Sequence, residues 1–167
     1  LGAAHDPKLA GEVAAATGRA VRATGIAWVF GPTVAVVRDD RWGRTYESFS
    51  EDPLLVKSYA GRYVTGLQGR FKDDANVVAS IKHFLGDGGT DQGKDQGVTK
   101  STNGEMINLH AQGYYSALDA GAQTVFQVAP ATATTPLVIT PVVPVGTLTA
   151  PVAMTRTRSG PPWDGAI

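Results

Sequence analysis

Charged side chains set directly beside glycine-rich turns mark two places where this sequence could do chemistry. The first is Lys82-His83-Phe84-Leu85-Gly86-Asp87-Gly88-Gly89-Thr90, in which a cation and an imidazole close a short apolar run. Gly86, Gly88 and Gly89 continue neither a strand nor a helix, so the polar groups sit at the end of a rigid element, beside backbone able to approach a ligand closely. The second is Arg38-Asp39-Asp40-Arg41-Trp42-Gly43-Arg44-Thr45-Tyr46-Glu47-Ser48, which follows an earlier apolar run in the same way. Charged donors in a dry pocket hydrogen-bond fixed hydroxyls or an anion strongly and directionally. Two such loops therefore point to a polyol or anion site, although a lone histidine such as His83 is more often a core residue bonded to backbone.

Other chemistries fit less well. A phosphate-binding loop needs Gly-Lys-Ser/Thr opening a helix, whereas Gly93-Lys94 is followed by Asp95. A calcium loop needs carboxylates at alternate positions, and Asp87, Asp91 and Asp95 are spaced too widely for that. His5 and His110 lack matching ligand partners and read as surface or packing residues. The bland alternative for the candidates is that Arg44 pairs with Asp39, Asp40 or Glu47, and that His83 is a core histidine bonded to backbone. Asp87 either orients His83, contacts a ligand or caps its loop through an Asx turn.

The elements that must position these groups alternate. Asp6-Pro7 is a strong helix start, and Leu9, Val13, Ala16 and Ala20 recur at helical spacing up to Gly25, a C-terminal cap. Ile26–Phe30 has strand length. The start signal repeats at Asp52-Pro53, followed by Leu55, Val56, Tyr59, Tyr63, Val64 and Leu67 on one helical side. Val77–Ile81 predicts a second strand, Glu105–Ala120 a third helix and Ala122–Phe126 a third strand. The strands are apolar throughout, as parallel strands covered on both faces should be, so the fold class is α/β with a parallel sheet or barrel. In such folds, sites are built at the C-terminal ends of the strands.

Composition sets the outer bounds. The 167 residues suffice for one domain with a core. Fifteen basic and fifteen acidic residues balance, so no basic excess predicts a nucleic-acid or anionic-membrane partner. Absence of cysteine removes disulfides and thiolate metal sites. No apolar run approaches the roughly 20 residues of a membrane span. A start at Leu1, close to a helix, suggests a piece cut from a longer protein. From Gln127 the character changes: seven of the ten prolines fall between Pro130 and Pro162, among Thr, Val and Ala. Such a segment reads as a Pro/Thr-rich linker or tail.

Taken together, Arg38-Asp-Asp-Arg-Trp-Gly-Arg44 with Tyr46-Glu47-Ser48, then Ser50-Glu51-Asp52-Pro53, then Lys82-His83-Phe84 with Gly86-Asp87-Gly88-Gly89-Thr90 resemble the amino-terminal barrel domain of glycoside hydrolase family 3. Ala23-Thr24-Gly25-Ile26 and the Asp6-Pro7 helix start fit as well, and the resemblance runs from about Leu1 to Val125. It implies a partial (β/α)8 barrel over 1–126, with 127–167 as a separate irregular tail. It implies a retaining β-glucosidase or exo-β-glucan hydrolase that releases terminal non-reducing β-D-glucosyl residues. Arg44, Lys82, His83 and Asp87 are then the substrate-binding residues, β-glucosides or β-glucan oligosaccharides the substrate, and neither metal nor organic cofactor is expected.

The departures from the family are equally specific. Its catalytic aspartate lies in a later Ser-Asp-Trp type motif, its acid/base residue comes from a second domain, and a further substrate-binding aspartate is expected upstream of Leu1; none is in this sequence. Asp39, Asp40 and Glu47 are not read as a catalytic pair, because the family places its nucleophile elsewhere. Trp42 either stacks on a sugar or packs between elements, and packing is the preferred reading. The N-acetylglucosaminidase branch carries Gly-His-Gly where this chain has Gly86-Asp87-Gly88, which favours the glucosidase type. Loss of resemblance at Phe126-Gln-Val-Ala-Pro130 is what a GC-rich gene read in a shifted frame would give. The alternative function is a non-catalytic fragment or weak carbohydrate-binding module, and a periplasmic or extracellular parent is the expected location.

Overall fold

A computed structural model describes residues 1–69 and 76–127. Both aspartate–proline signals start helices. Helix α1 spans Pro7–Ala23, with Asp6 Oδ1 accepting from the Leu9 amide at 3.0 Å. Helix α2 spans Pro53–Gln68, with Asp52 Oδ1 accepting from the Leu54 amide at 2.8 Å. In each case the side-chain oxygen satisfies a donor that the first turn leaves free, and proline loses nothing at that position. Gly25, just past α1, has φ 87°, a conformation that favours glycine.

Between and after the helices run three parallel strands, β1 (Trp28–Val29), β2 (Val78–Phe84) and β3 (Thr124–Gln127), in the order β1-β2-β3. Trp28 pairs with Val78 and Ser80 with Thr124. The first strand is shorter than the Ile26–Phe30 run predicts. Pro32 has no N–H to offer a ladder, and beyond β1 the chain follows β2 through separate bonds: Ser80 N to Gly31 O at 3.1 Å and Lys82 N to Pro32 O at 3.1 Å. The second strand reaches three residues further than predicted, to Phe84, so the lysine and histidine lie inside it.

The predicted third helix is not continuous. It divides into α3 (Asn103–Glu105), a π-helical stretch at Met106–His110 and α4 (Gln112–Asp119). A capping box starts it: Thr102 Oγ1 accepts from the Glu105 amide while Glu105 Oε2 accepts from the Thr102 amide at 2.7 Å.

Two packing expectations are corrected. Among the described residues the two faces of the sheet are covered unequally, as a three-stranded piece of a barrel should be, although the sequence reading of strands covered on both faces is not met at β1. Ala79 and Ile81 are fully buried in a core with Val34, Val56, Ala60, Val64 and Leu67, and Val125 packs against it. On the other side of the sheet Trp28 is 38% and Phe30 54% exposed, their rings 4.9 Å apart and Phe30 5.3 Å from Phe126. The buried side of α1 is also not Leu9, Val13, Ala16 and Ala20; it is Ala10, Ala14 and Gly18. The reason is close helix approach. A Cβ on Gly66 of α2 would meet the Gly11 carbonyl oxygen at 2.3 Å and the Ala14 Cβ at 2.7 Å, so only the small-residue side of α1 fits there. The predicted tail lies outside the described residues, apart from Gln127, which pairs with Phe84.

Candidate functional site

The C-terminal end of β2 and the loop after β1 bring all four predicted site residues together. Register with β3 shifts between Lys82 and Phe84. That irregularity breaks the simple up–down alternation of a strand, and both Lys82 and His83 take part in the same polar cluster. The second contribution comes from a 3-10 turn at Thr45–Glu47, which places Arg44 and Glu47 three residues apart on one side.

Arg44 grips Glu47 with two parallel bonds, Nε to Oε1 at 2.7 Å and Nη2 to Oε2 at 2.9 Å. Its remaining nitrogen, Nη1, lies 3.0 Å from His83 Nε2. On the other side of the ring, His83 Nδ1 is 2.8 Å from Asp87 Oδ2. Lys82 Nζ lies 3.6 Å from Glu47 Oε2, and Thr33 Oγ1 donates to that same oxygen at 3.0 Å. The order Glu47–Arg44–His83–Asp87 is thus a continuous polar chain, and its side chains are mostly withdrawn from water: 26% exposed for Arg44, 16% for Lys82 and 7% for His83.

Electrostatics follow from that geometry. The Arg44 hydrogen bonds hold the Glu47 carboxyl at about 2, against an opposing effect of burial and with further help from Thr33. The same contact raises Arg44. Glu47 is therefore a committed anion. Burial lowers His110 and pushes the Tyr114 hydroxyl well above its ordinary value, with the Asp87 charge adding to the Tyr114 shift. Asp87 Oδ1 is buried with no hydrogen-bond partner among the described residues.

Several sequence-based alternatives resolve. Arg44 does pair with Glu47, and Asp39 pairs with Arg41 instead, at 2.6 Å on the surface. His83 bonds to side chains rather than backbone, and Asp87 orients it. Trp42 packs: it is 1% exposed against Ala35 and Val37, with Nε1 donating to Asp95 at 3.0 Å. His110 is a buried packing residue. The glycine loop approaches protein: a Cβ on Gly88 would lie 2.3 Å from the Val36 carbonyl oxygen, and Arg38 N donates to Gly88 O at 2.8 Å. Glycine there lets the two polar loops touch. No group of three or more metal-type ligands occurs among the described residues.

Sequence reading named Glu47 only as a possible partner of Arg44 and missed Thr33 as part of the cluster. The Arg44-x-x-Glu47 spacing was a visible signal for the first; for Thr33, four residues past Val29, no local pattern exists. The arrangement offers cationic donors and carboxylate acceptors at a strand end, the set that a hydroxyl-rich ligand uses.

A family described as glycosyl hydrolase family 3 N terminal domain matches residues 1–144. The solved exo-1,3/1,4-β-glucanase of a Pseudoalteromonas species is 53% identical at a TM-score of 0.72, over 75% of this chain and 16% of that one. The Listeria innocua β-glucosidase, solved also with glucose, is 28% identical at a TM-score of 0.74, over 76% of this chain and 18% of that one. A periplasmic β-glucosidase of Salmonella typhimurium is 33% identical over 102 residues, 60% of this chain and 13% of the relative's length. The chain thus spans a small part of the proteins it matches.

Proposed function

The chain belongs to glycosyl hydrolase family 3, and from that premise we propose that it is part of the amino-terminal (β/α)8 barrel of a retaining exo-acting β-glucosidase or β-glucan hydrolase. Arg44, Lys82, His83 and Asp87 line the subsite for the terminal non-reducing glucosyl unit, and a β-glucoside or β-glucan oligosaccharide is the substrate. Residues 1–126 supply the barrel portion and 127–167 a separate tail; the family match continues to residue 144. A coding sequence that yields Trp-Asn-Gly after a one-base shift near codon 126 would establish a frame slip in that tail. A periplasmic or extracellular parent fits the Salmonella relative's description.

One observation carries the reading: Arg44 from the loop after β1 and His83 from the end of β2 meet at 3.0 Å. Residues 39 positions apart thereby form one polar wall where barrel enzymes bind substrate. Such donors strengthen their hold as a glucosyl ring flattens toward an oxocarbenium ion, which is where binding becomes catalysis. Retaining chemistry also needs two carboxyl groups about 5 Å apart. Glu47, ionised, is not the acid, and with both oxygens taken up by Arg44 and Thr33 it is poorly placed as the nucleophile, so that pair comes from elsewhere in the parent.

The test uses an aryl β-glucoside. The 167-residue chain alone should give no turnover. The Pseudoalteromonas glucanase with its matching segment replaced by residues 1–127 should be active and should lose about 30-fold or more in kcat/KM on Lys82→Ala, the worth of one charged hydrogen bond. Unchanged kcat/KM in that variant would remove Lys82 from the subsite.

A further inference from the structure

Glu47 has no task in the reading above, yet more of the cluster meets at its carboxylate than at any other group described. Oε1 accepts from Arg44 Nε, and Oε2 accepts from Arg44 Nη2 and Thr33 Oγ1 with Lys82 Nζ at 3.6 Å. The partners come from three places: the chain just past β1, the turn that carries Glu47 itself, and the end of β2. With this many donors the carboxylate has little capacity left for a ligand.

The guanidinium supplies a second consequence. It carries donors only, so the 3.0 Å contact from Arg44 Nη1 makes His83 Nε2 the acceptor. The ring proton must then be on Nδ1, donating to Asp87 Oδ2 at 2.8 Å. Arg44 can aim Nη1 in that direction only while its other two nitrogens are held in register by Glu47, because a bidentate pair fixes the guanidinium plane.

We propose that Glu47 is a positioning residue: its carboxylate locks the Arg44 guanidinium in place, gives the nearby Lys82 ammonium a counter-charge and, through Arg44, keeps the His83 proton on Nδ1. Without it two cations would stand close together with no shared counter-charge, and each would swing toward solvent. The ionised state of Glu47, held at about 2, keeps this lock in force throughout the neutral and mildly acidic range.

Two measurements test the role, and only the second rests on the substrate-binding reading. In the 167-residue chain labelled with 15N-arginine and 15N-histidine, Arg44 should show slow guanidinium rotation with separate Nη signals, and His83 should carry its proton on Nδ1. In Glu47→Gln, and in Glu47→Asp, which keeps the charge but shortens the reach, the Arg44 Nη signals should merge. A freely rotating Arg44 in the unaltered chain, or signals unchanged in both variants, would overturn the proposal. In the active chimera, Glu47→Gln should lower kcat/KM by about tenfold or more, and adding it to Arg44→Ala should cost less than about threefold extra, because the two act as one unit. Multiplicative losses would mean that Glu47 acts independently and would also overturn it. If Arg44→Ala alone leaves kcat/KM unchanged, the subsite reading fails while the spectroscopic result still decides the role of Glu47.

Discussion

Strand β2 belongs to two regions governed by different physics. Along its helix-covered face, Ala79 and Ile81 are fully buried among Val34, Val56, Ala60 and Val64, contacts that are apolar and without direction. At its C-terminal end, His83 is held by directional bonds to Arg44 and Asp87, and Lys82 sits 3.6 Å from the Glu47 carboxylate as an ion pair. In the first region a side chain matters through its volume; in the second, through where a few atoms are placed. The chain passes from one regime to the other within a single residue, between Ile81 and Lys82.

The sharpest way to break that contrast is to exchange volume for nothing on each side. Ile81→Ala removes buried volume from a site with no room to collapse, and should cost about 3 kcal/mol of unfolding free energy, within the usual 2–5 for such truncations. Denaturant melts would check it; a loss under about 1 kcal/mol would mean that the core is looser than its burial indicates. Lys82→Met keeps the stem and removes the charge. It should lower kcat/KM in an active chimera by about 2 kcal/mol of transition-state binding. It should change stability by less than about 1 kcal/mol, since Glu47 retains Arg44 and Thr33. Equal effects on stability and activity would erase the distinction between the regions.

Between these extremes stand the helix starts, local devices that touch neither region. Asp52→Ala removes the bond to the Leu54 amide and should cost about 1 kcal/mol, read from the same melts. These starts were legible in the sequence because a cap depends on two or three adjacent residues. The strand order and the convergence of Arg44, Lys82, His83 and Asp87 were legible through two motifs in fixed order. Three things were not. The buried side of α1 follows small residues because Gly66 forces a close approach, and the sequence of α1 alone contains no record of its neighbour. The division of the third helix by a π-helical stretch at Met106–His110 leaves no mark in its apolar pattern. The role of Thr33 depends on a side chain 14 residues away.

The smallest expected effect separates two carboxylates that share one number. Asp39 and Glu47 are both held at about 2, each by an arginine. A carboxyl depressed in the folded state contributes stability that is complete above its ordinary value and is lost as pH falls toward its folded one. For Glu47 that window runs from 4.5 down to about 2, and for Asp39 from 3.8 down to about 2. The two carboxylates are covered alike, 19% and 21% exposed, and it is their partners that differ. The Arg41 side chain is 70% exposed and the Arg44 side chain 26%, so salt screens the Asp39 pair more readily, within a Debye length of about 8 Å at physiological ionic strength. The Glu47 carboxylate is bound by Arg44 and Thr33 in the half-buried cluster, where screening is weaker. Acid melts between pH 5 and pH 2.5 should therefore flatten in Glu47→Gln and stay nearly unchanged in Asp39→Asn, and raising the salt to about 0.5 M should leave the Glu47 contribution in place. If Asp39→Asn flattens the acid limb as much as Glu47→Gln does, the exposed loop and the strand end are electrostatically alike, and the second region has no claim to be a preorganised site.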